Sequence, residues 1–151
     1  TNDGKHFMVC NRGASPFEGT TIRVYNANGD LVKVIDSAVK GVGHAYISPN
    51  GEYAVITQYG DTKVEIISLK NFERIKVIDV GVGRHMGHVV FSEDGKKFYV
   101  SNRVADSVFV IDAQKFEVIK RILTAESGQA QGQLVKHFYG VFERVVNPYL
   151  V

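Results

Sequence analysis

The chain of 151 residues carries 18 Lys and Arg against 16 Asp and Glu, interspersed along its length, for a net charge of +2 at pH 7. So even a balance supplies no basic stripe of the kind a phosphate backbone needs, which argues against nucleic acid as a partner. No apolar run is long enough to cross a bilayer as a helix, and no signal-peptide pattern is present. The opening Thr1-Asn2-Asp3-Gly4 lacks an initiator Met, so further sequence is expected upstream. The single cysteine, Cys10, has no cysteine partner for a disulfide or a metal site and sits in an apolar strand pattern, where a buried, inert thiol is expected.

In chain order, Asp3-Gly4 reads as a turn, followed by strands over Lys5 to Asn11, Thr20 to Asn26 and Leu31 to Asp36. A second group follows: Gly43 to Ser48, a Pro49-Asn50-Gly51 turn, then Glu52 to Gln58, Thr62 to Ser68 and Arg74 to Val80. The third group is His88 to Phe91, a Ser92-Glu93-Asp94-Gly95 turn, Lys97 to Asn102, Ser107 to Asp112 and Val118 to Ile122. Ser107 to Asp112 is nearly continuous in β-branched and aromatic residues, as expected of a sheet covered on both faces.

These groups are copies of one another. Gly43-His44-Ala45-Tyr46-Ile47-Ser48-Pro49-Asn50-Gly51 recurs 44 residues later as Gly87-His88-Val89-Val90-Phe91-Ser92-Glu93-Asp94-Gly95. Val64, Phe72, Glu73, Ile75, Lys76 and Ile78 recur at the same spacing as Val108, Phe116, Glu117, Ile119, Lys120 and Ile122. In the first copy the turn at Asp3-Gly4 leads straight into the second strand, so the innermost strand is missing. A fourth copy starts at Gly128 to Val135 and then breaks off. Over Lys136 to Val151 the spacing of Phe138, Val141, Phe142, Val145 and Val146 reads as an irregular or helical tail, or as an end foreign to the fold.

A four-strand unit repeated about every 45 residues is the signature of propeller blades. The expected fold is all-β, an arc of about three four-stranded blades and a fragment of a larger propeller. The repeats would fill 1–135, with blades at about 1–42, 43–86 and 87–131 and the start of a fourth, and the tail 136–151. Closed propellers carry roughly four to eight blades, so the apolar end faces of such an arc are expected to be covered by missing blades or by a homo-oligomer.

Gly-His-x-x-x-Ser-x-Asp-Gly-x-x-x-Tyr-Val-Ser-Asn over residues 87 to 102, followed by Asp106 to Asp112, resembles the YVTN family of β-propeller repeats over roughly residues 1 to 135. The usual Tyr-Val-Thr-Asn stands here as Tyr99-Val100-Ser101-Asn102, as Val55-Ile56-Thr57-Gln58 and as Val9-Cys10-Asn11. The resemblance implies kinship with the haem d1-binding propellers of cytochrome cd1 nitrite reductase, with lactonases of similar repeat pattern and with archaeal surface-layer proteins, and a periplasmic or extracellular location. Relatives so varied imply a fold and no single function.

In a blade of this kind the interblade connections and the loops between second and third strands emerge on one face. That face would carry Arg12, His44, Tyr59, Arg84, His85, His88 and Arg103, which are the candidate ligand-binding residues, with Asn11, Gln58 and Asn102 beside the channel mouth. His44 and His88 are equivalent and would converge near the axis, as ligands for a metal or haem or as an anion site when protonated, or simply as bonds to the neighbouring blade. His85 and His88 form a lone His-x-x-His, short of the three or four ligands of a zinc site. Arg12 and Arg103 are equivalent cations able to grip carboxylates, or to pair with Glu18, Asp61 or Asp106 on the surface. Arg12 also opens a loop five residues longer than its counterparts.

No Gly-x-Ser-x-Gly motif or visible Ser-His-acid set is present, Gly81 to Gly87 opens no helix and is not a dinucleotide fingerprint, and the turns lack a calcium-loop ligand series. The expected function is therefore non-catalytic: a binding or interaction module recognising a small anionic ligand or a protein on one rim. A haem d1-type or other redox-associated propeller is the first alternative, with haem as its cofactor, and a lactonase-like hydrolase the second.

Overall fold

The computed structural model describes residues 1–14, 18–83 and 85–124, and these hold eleven strands and no helix. The strands are β1 (His6–Asn11), β2 (Thr21–Asn26), β3 (Leu31–Asp36), β4 (Val42–Ile47), β5 (Tyr53–Gln58), β6 (Lys63–Ser68), β7 (Arg74–Asp79), β8 (Met86–Phe91), β9 (Lys97–Asn102), β10 (Ser107–Asp112) and β11 (Glu117–Leu123). Each expected strand is present, its ends displaced by no more than two residues. Consecutive strands pair antiparallel into three sheets, β1-β2-β3, β4-β5-β6-β7 and β8-β9-β10-β11. The first sheet has three strands, the counterparts of the second to fourth strands of the other two. The start of a fourth repeat and the expected tail at 136–151 lie outside the described residues.

The sheets stack as blades, with an apolar layer in each of the two seams. Ile22, Val24 and Ile35 of the first sheet meet Ala54, Ile56, Ile67 and Phe72 of the second. Val55, Val64, Ile66 and Ile78 on the opposite face of the second sheet meet Met86, Val89, Phe98, Val100, Phe109 and Ile111 of the third. Every residue of β5 is buried, so its sequence runs apolar without the alternation of a strand that has one face in water. On the first sheet, Phe7 is 46% and Val9 38% exposed, whereas their counterparts Ala54 and Ile56 are fully covered by the preceding blade.

The repeated Gly-His pairs sit in matching β-bulges. β4 meets β5 with Val42 opposite Gln58 and Ala45 opposite Ile56, and β8 meets β9 with Met86 opposite Asn102 and Val89 opposite Val100, so each inner strand carries one extra residue. The amide this leaves outside the ladder is satisfied by a hydroxyl: His44 N–H donates to Thr57 Oγ1 at 3.1 Å and His88 N–H to Ser101 Oγ at 2.9 Å. The glycines are required because a Cβ at Gly43 would lie 2.7 Å from Thr57 Oγ1 and one at Gly87 2.7 Å from Ser101 Oγ. The Thr or Ser of the Tyr-Val-Thr-Asn element and the Gly-His pair are thus two halves of one local structure.

Of the polar residues ending the second strands, Gln58 and Asn102 are buried, not open to the channel mouth, while Asn11 is half-buried and its Nδ2 donates to Thr21 Oγ1 at 2.7 Å. Asn102 Oδ1 accepts from the amides of Val104 and Ala105, and its Nδ2 donates to the Val82 carbonyl at 2.8 Å, which shapes the loop beyond β9. Gln58, also fully buried, turns to the seam with the first sheet. There its Nε2 donates to Ser37 Oγ at 3.1 Å and to Glu65 Oε1 at 2.5 Å. The wholly buried Glu65 carboxylate also accepts from the Ser37 hydroxyl at 2.5 Å, the Ala38 amide at 3.1 Å and Arg74 Nε at 2.6 Å. Arg74 reaches on to the Asp36 carbonyl. A buried charge needs such partners to persist, and here they tie the outer edge of the first blade to the second.

Candidate ligand-binding rim

Because strands alternate in direction, the starts of β4 and β8 share a face with the loops after β1, β5 and β9. Main-chain bonds knit that face together: Tyr59 N–H donates to the Gly41 carbonyl at 2.6 Å, His85 N–H to the Tyr59 carbonyl at 3.2 Å, and Arg103 N–H to the His85 carbonyl at 3.2 Å. His85 makes both of its bonds from a left-handed backbone conformation with φ 61°, uncommon for a residue with a side chain. It is the link between the loops of the second and third blades.

The side chains follow. The His44 and His88 rings lie nearly parallel, 14° apart in plane and 6.0 Å between centroids. Tyr59 meets His44 edge-on at 5.6 Å and His85 edge-on at 5.7 Å. The Arg12 guanidinium lies over the Tyr59 ring at 4.5 Å, within the range of a cation–π contact. One rim therefore unites Arg12, His44, Tyr59, His85 and His88. Arg103 bears on the same group electrostatically, since its charge helps to hold His88 down. Arg84 lies outside the described residues.

Two expected roles change. The His-x-x-His pair is divided, His85 turning to Tyr59 while His88 Nδ1 hydrogen-bonds the Tyr46 hydroxyl of the neighbouring blade at 2.8 Å. Among the described residues no group of three His, Cys, Asp or Glu side chains could hold a metal ion. Arg12 pairs with neither Glu18 nor Asp61: Asp61 is engaged by Lys63 at 3.0 Å, and no carboxylate lies within ion-pair distance of Arg12 among the described residues.

Burial lowers the pKa of His44, with the charge of Arg12 adding to it; burial lowers that of His88 as well, followed by His44 and Arg103. Both rings are neutral at pH 7. The rim thus holds the Arg12 guanidinium, with no carboxylate partner among the described residues, beside the neutral His44 and His88 imidazoles and the Tyr46 and Tyr59 phenols, a set that gains charge on acidification. Tyr46 is the member that sequence reasoning missed. Its signal was available: it lies two residues after His44 on the same strand, and its counterpart in the next repeat is the apolar Val90. Cys10, half-buried in the first seam, has its thiol pushed up to about 12 by burial and by Glu65, in keeping with an inert role.

No protein-family profile matches the chain, and no curated protein does. Solved structures do. Hydrazine synthase of Kuenenia stuttgartiensis aligns with a TM-score of 0.65 at 21% identity over 76% of this chain and 32% of its own. Dihydro-heme d1 dehydrogenase NirN, in complex with DHE, aligns with a TM-score of 0.64 at 17% identity over 85% of this chain and 26% of its own. At these identities the likeness is one of fold, and the three sheets are β-propeller blades. The chain spans about a third or less of the length of each of these two structures. No helix among the described residues is long and apolar enough to cross a membrane.

Proposed function

We propose that this is a non-catalytic propeller module that binds a small anionic ligand on the rim formed by Arg12, His44, Tyr59, His85 and His88. The observation that carries the reading is Arg12, a cation held on the face of Tyr59 with no carboxylate partner among the described residues, next to a pair of stacked imidazoles. A guanidinium so placed keeps its N–H edge for an incoming carboxylate or phosphate. Citrate serves as the probe, followed by the histidine ring signals in proton NMR. Arg12→Ala should weaken citrate at least tenfold. It should also move the melting temperature by no more than about 3 °C, the equivalent of about 1 kcal/mol for an exposed cation–π contact in a domain of this size. A loss of stability without a change in citrate binding would make Arg12 structural.

A second reading is favoured by the likeness to dihydro-heme d1 dehydrogenase NirN: a haem-type cofactor held at the same rim. The residues fit it in part. One imidazole suffices as an axial ligand, and His44, whose ring makes only aromatic contacts among the described residues, would supply it, with Arg12 near a propionate. Haem mixed with the protein should then give a shifted Soret band that His44→Ala removes; a spectrum unaltered by that change counts against it. A periplasmic or extracellular location belongs with either reading, and cell fractionation tests it.

A further inference from the structure

On the face opposite the rim lie the hairpin turns, and the two seams between blades end there differently. In the first seam the Asn2 side chain crosses from the first blade to the turn of the second, its Nδ2 donating to the Ser48 carbonyl at 3.1 Å and the Pro49 carbonyl at 3.0 Å. Beneath it the His6 ring meets Phe72 edge-on at 5.0 Å. In the second seam the counterparts of His6 and Phe72 are Tyr53 and Phe116, which meet in the same way at 5.1 Å. The counterpart of Asn2, however, is Pro49, which has no side-chain donor to cross with. The seam stays open as a cleft of roughly 810 Å³.

The cleft has a distinct chemistry. Phe116, Ile75 and the Tyr53 ring line it, while Glu52, Glu93 and Asp94 outnumber the one cation, Lys96. Tyr53 is only 5% exposed as a residue and lines the cleft; its hydroxyl has no hydrogen-bond partner among the described residues and is reached by solvent there. Burial, with Glu52 nearby, pushes that hydroxyl up to about 12, so it remains a neutral phenol. The carbonyl of Glu93 occupies the place of the Pro49 carbonyl that Asn2 binds in the other seam. An aromatic wall, an excess of carboxylates and the Glu93 carbonyl, which lacks the donor that its counterpart has, together describe a site for a cation with N–H groups.

We propose that the cleft binds a small primary alkylammonium ion, its N–H donors taking the place of the Asn2 amide and its aliphatic stem lying on Phe116 and Ile75. The probe is n-butylammonium, titrated while the backbone amides of Gly95, Gln114 and Phe116 are followed by NMR. Saturable shifts at these amides are expected, with no response to n-butanol or n-butyrate at equal concentration. No shift, or an equal response to n-butyrate, overturns the proposal. Pro49→Asn restores the donor and should close the seam, weakening n-butylammonium at least tenfold while leaving the melting temperature the same or higher; unchanged binding in a folded Pro49→Asn protein overturns it. Should that variant not fold, Tyr53→Phe keeps the ring and removes the acceptor, and should weaken the probe about fivefold; no change there also overturns it. Lysine blocked at both ends, bound more than tenfold tighter than n-butylammonium, identifies the source as a protein side chain, and equal or weaker binding identifies a free amine. Arg12→Ala should leave this binding untouched, which separates it from the rim.

Discussion

Alanine at Gly43 should cost far more stability than alanine at Gly87, although the two glycines are the same residue of the repeat. A Cβ at Gly43 meets Thr57 Oγ1 at 2.7 Å and the Thr57 carbonyl oxygen at 2.9 Å, and the carbonyl belongs to the backbone of buried β5, where Thr57 pairs with Val64 of β6, so it cannot move without shifting that strand. A Cβ at Gly87 meets Ser101 Oγ at 2.7 Å, but the Ser101 carbonyl is 3.5 Å away, an ordinary contact. The serine hydroxyl can rotate aside, giving up its bond to His88 N–H. Overpacking costs about 1–3 kcal/mol and one lost hydrogen bond about 1 kcal/mol, so Gly43→Ala is expected near about 3 kcal/mol and Gly87→Ala near about 1 kcal/mol. At about 3 °C per kcal/mol for a chain of this length, the melting temperatures should fall by about 9 °C and about 3 °C. Urea unfolding read from the midpoint at constant slope measures the difference. Adding Ser101→Ala to Gly87→Ala should remove its clash, whereas adding Thr57→Ala to Gly43→Ala should not help, since the carbonyl remains. Equal losses at the two glycines, or a loss below about 1 kcal/mol at Gly43, would refute the reasoning.

Arg74→Met leaves the buried Glu65 carboxylate without its cation and should cost about 3 kcal/mol, the lower end for breaking a buried pair because Arg74 is partly exposed and three donors to Oε1 remain; urea unfolding checks it, and a loss under about 1 kcal/mol would show that the other donors suffice. His44 and His88 have their folded pKa values below the ordinary 6.5, so the stability they contribute is complete above pH 6.5 and is lost as the pH falls through the folded values. The melting temperature should therefore decline on acidification from pH 7 to 5, and less steeply in the His44→Gln, His88→Gln double variant. The Cys10 thiol should react with a disulfide reagent at pH 8 only after unfolding; rapid modification of the native protein would contradict its burial.

The blade plan was legible because a propeller is built from local hairpins. Turn residues and β-branched runs specify each strand without reference to the rest of the chain, and the 44-residue echo aligns one blade with the next. The sequence marks Tyr46 only as a phenol where the next repeat has the apolar Val90; that its hydroxyl meets His88 of another blade is set by packing, since sequence spacing carries no information about which rings meet across a seam. Arg12 and Arg103 looked alike as residues following an asparagine, and only the packing distinguishes the guanidinium that lies on Tyr59 from the one whose amide joins the interblade bonds. Gln58 and Asn102 occupy one repeat position and serve two purposes, the first reaching Glu65 and the second folding its own loop.

By itself the sequence determined the all-β repeat, the strands and turns, the place of the Gly-His pairs at the start of the inner strands, and the face on which His and Arg would gather. Those are properties of a few adjacent residues, set by backbone sterics and side-chain periodicity. Tertiary structure decided which of the gathered side chains touch, which cation has no carboxylate partner among the described residues, and why one seam is bridged by Asn2 while its counterpart at Pro49 stands open. These depend on the approach of residues more than forty positions apart, where the presence or loss of one amide donor changes a closed contact into a cleft.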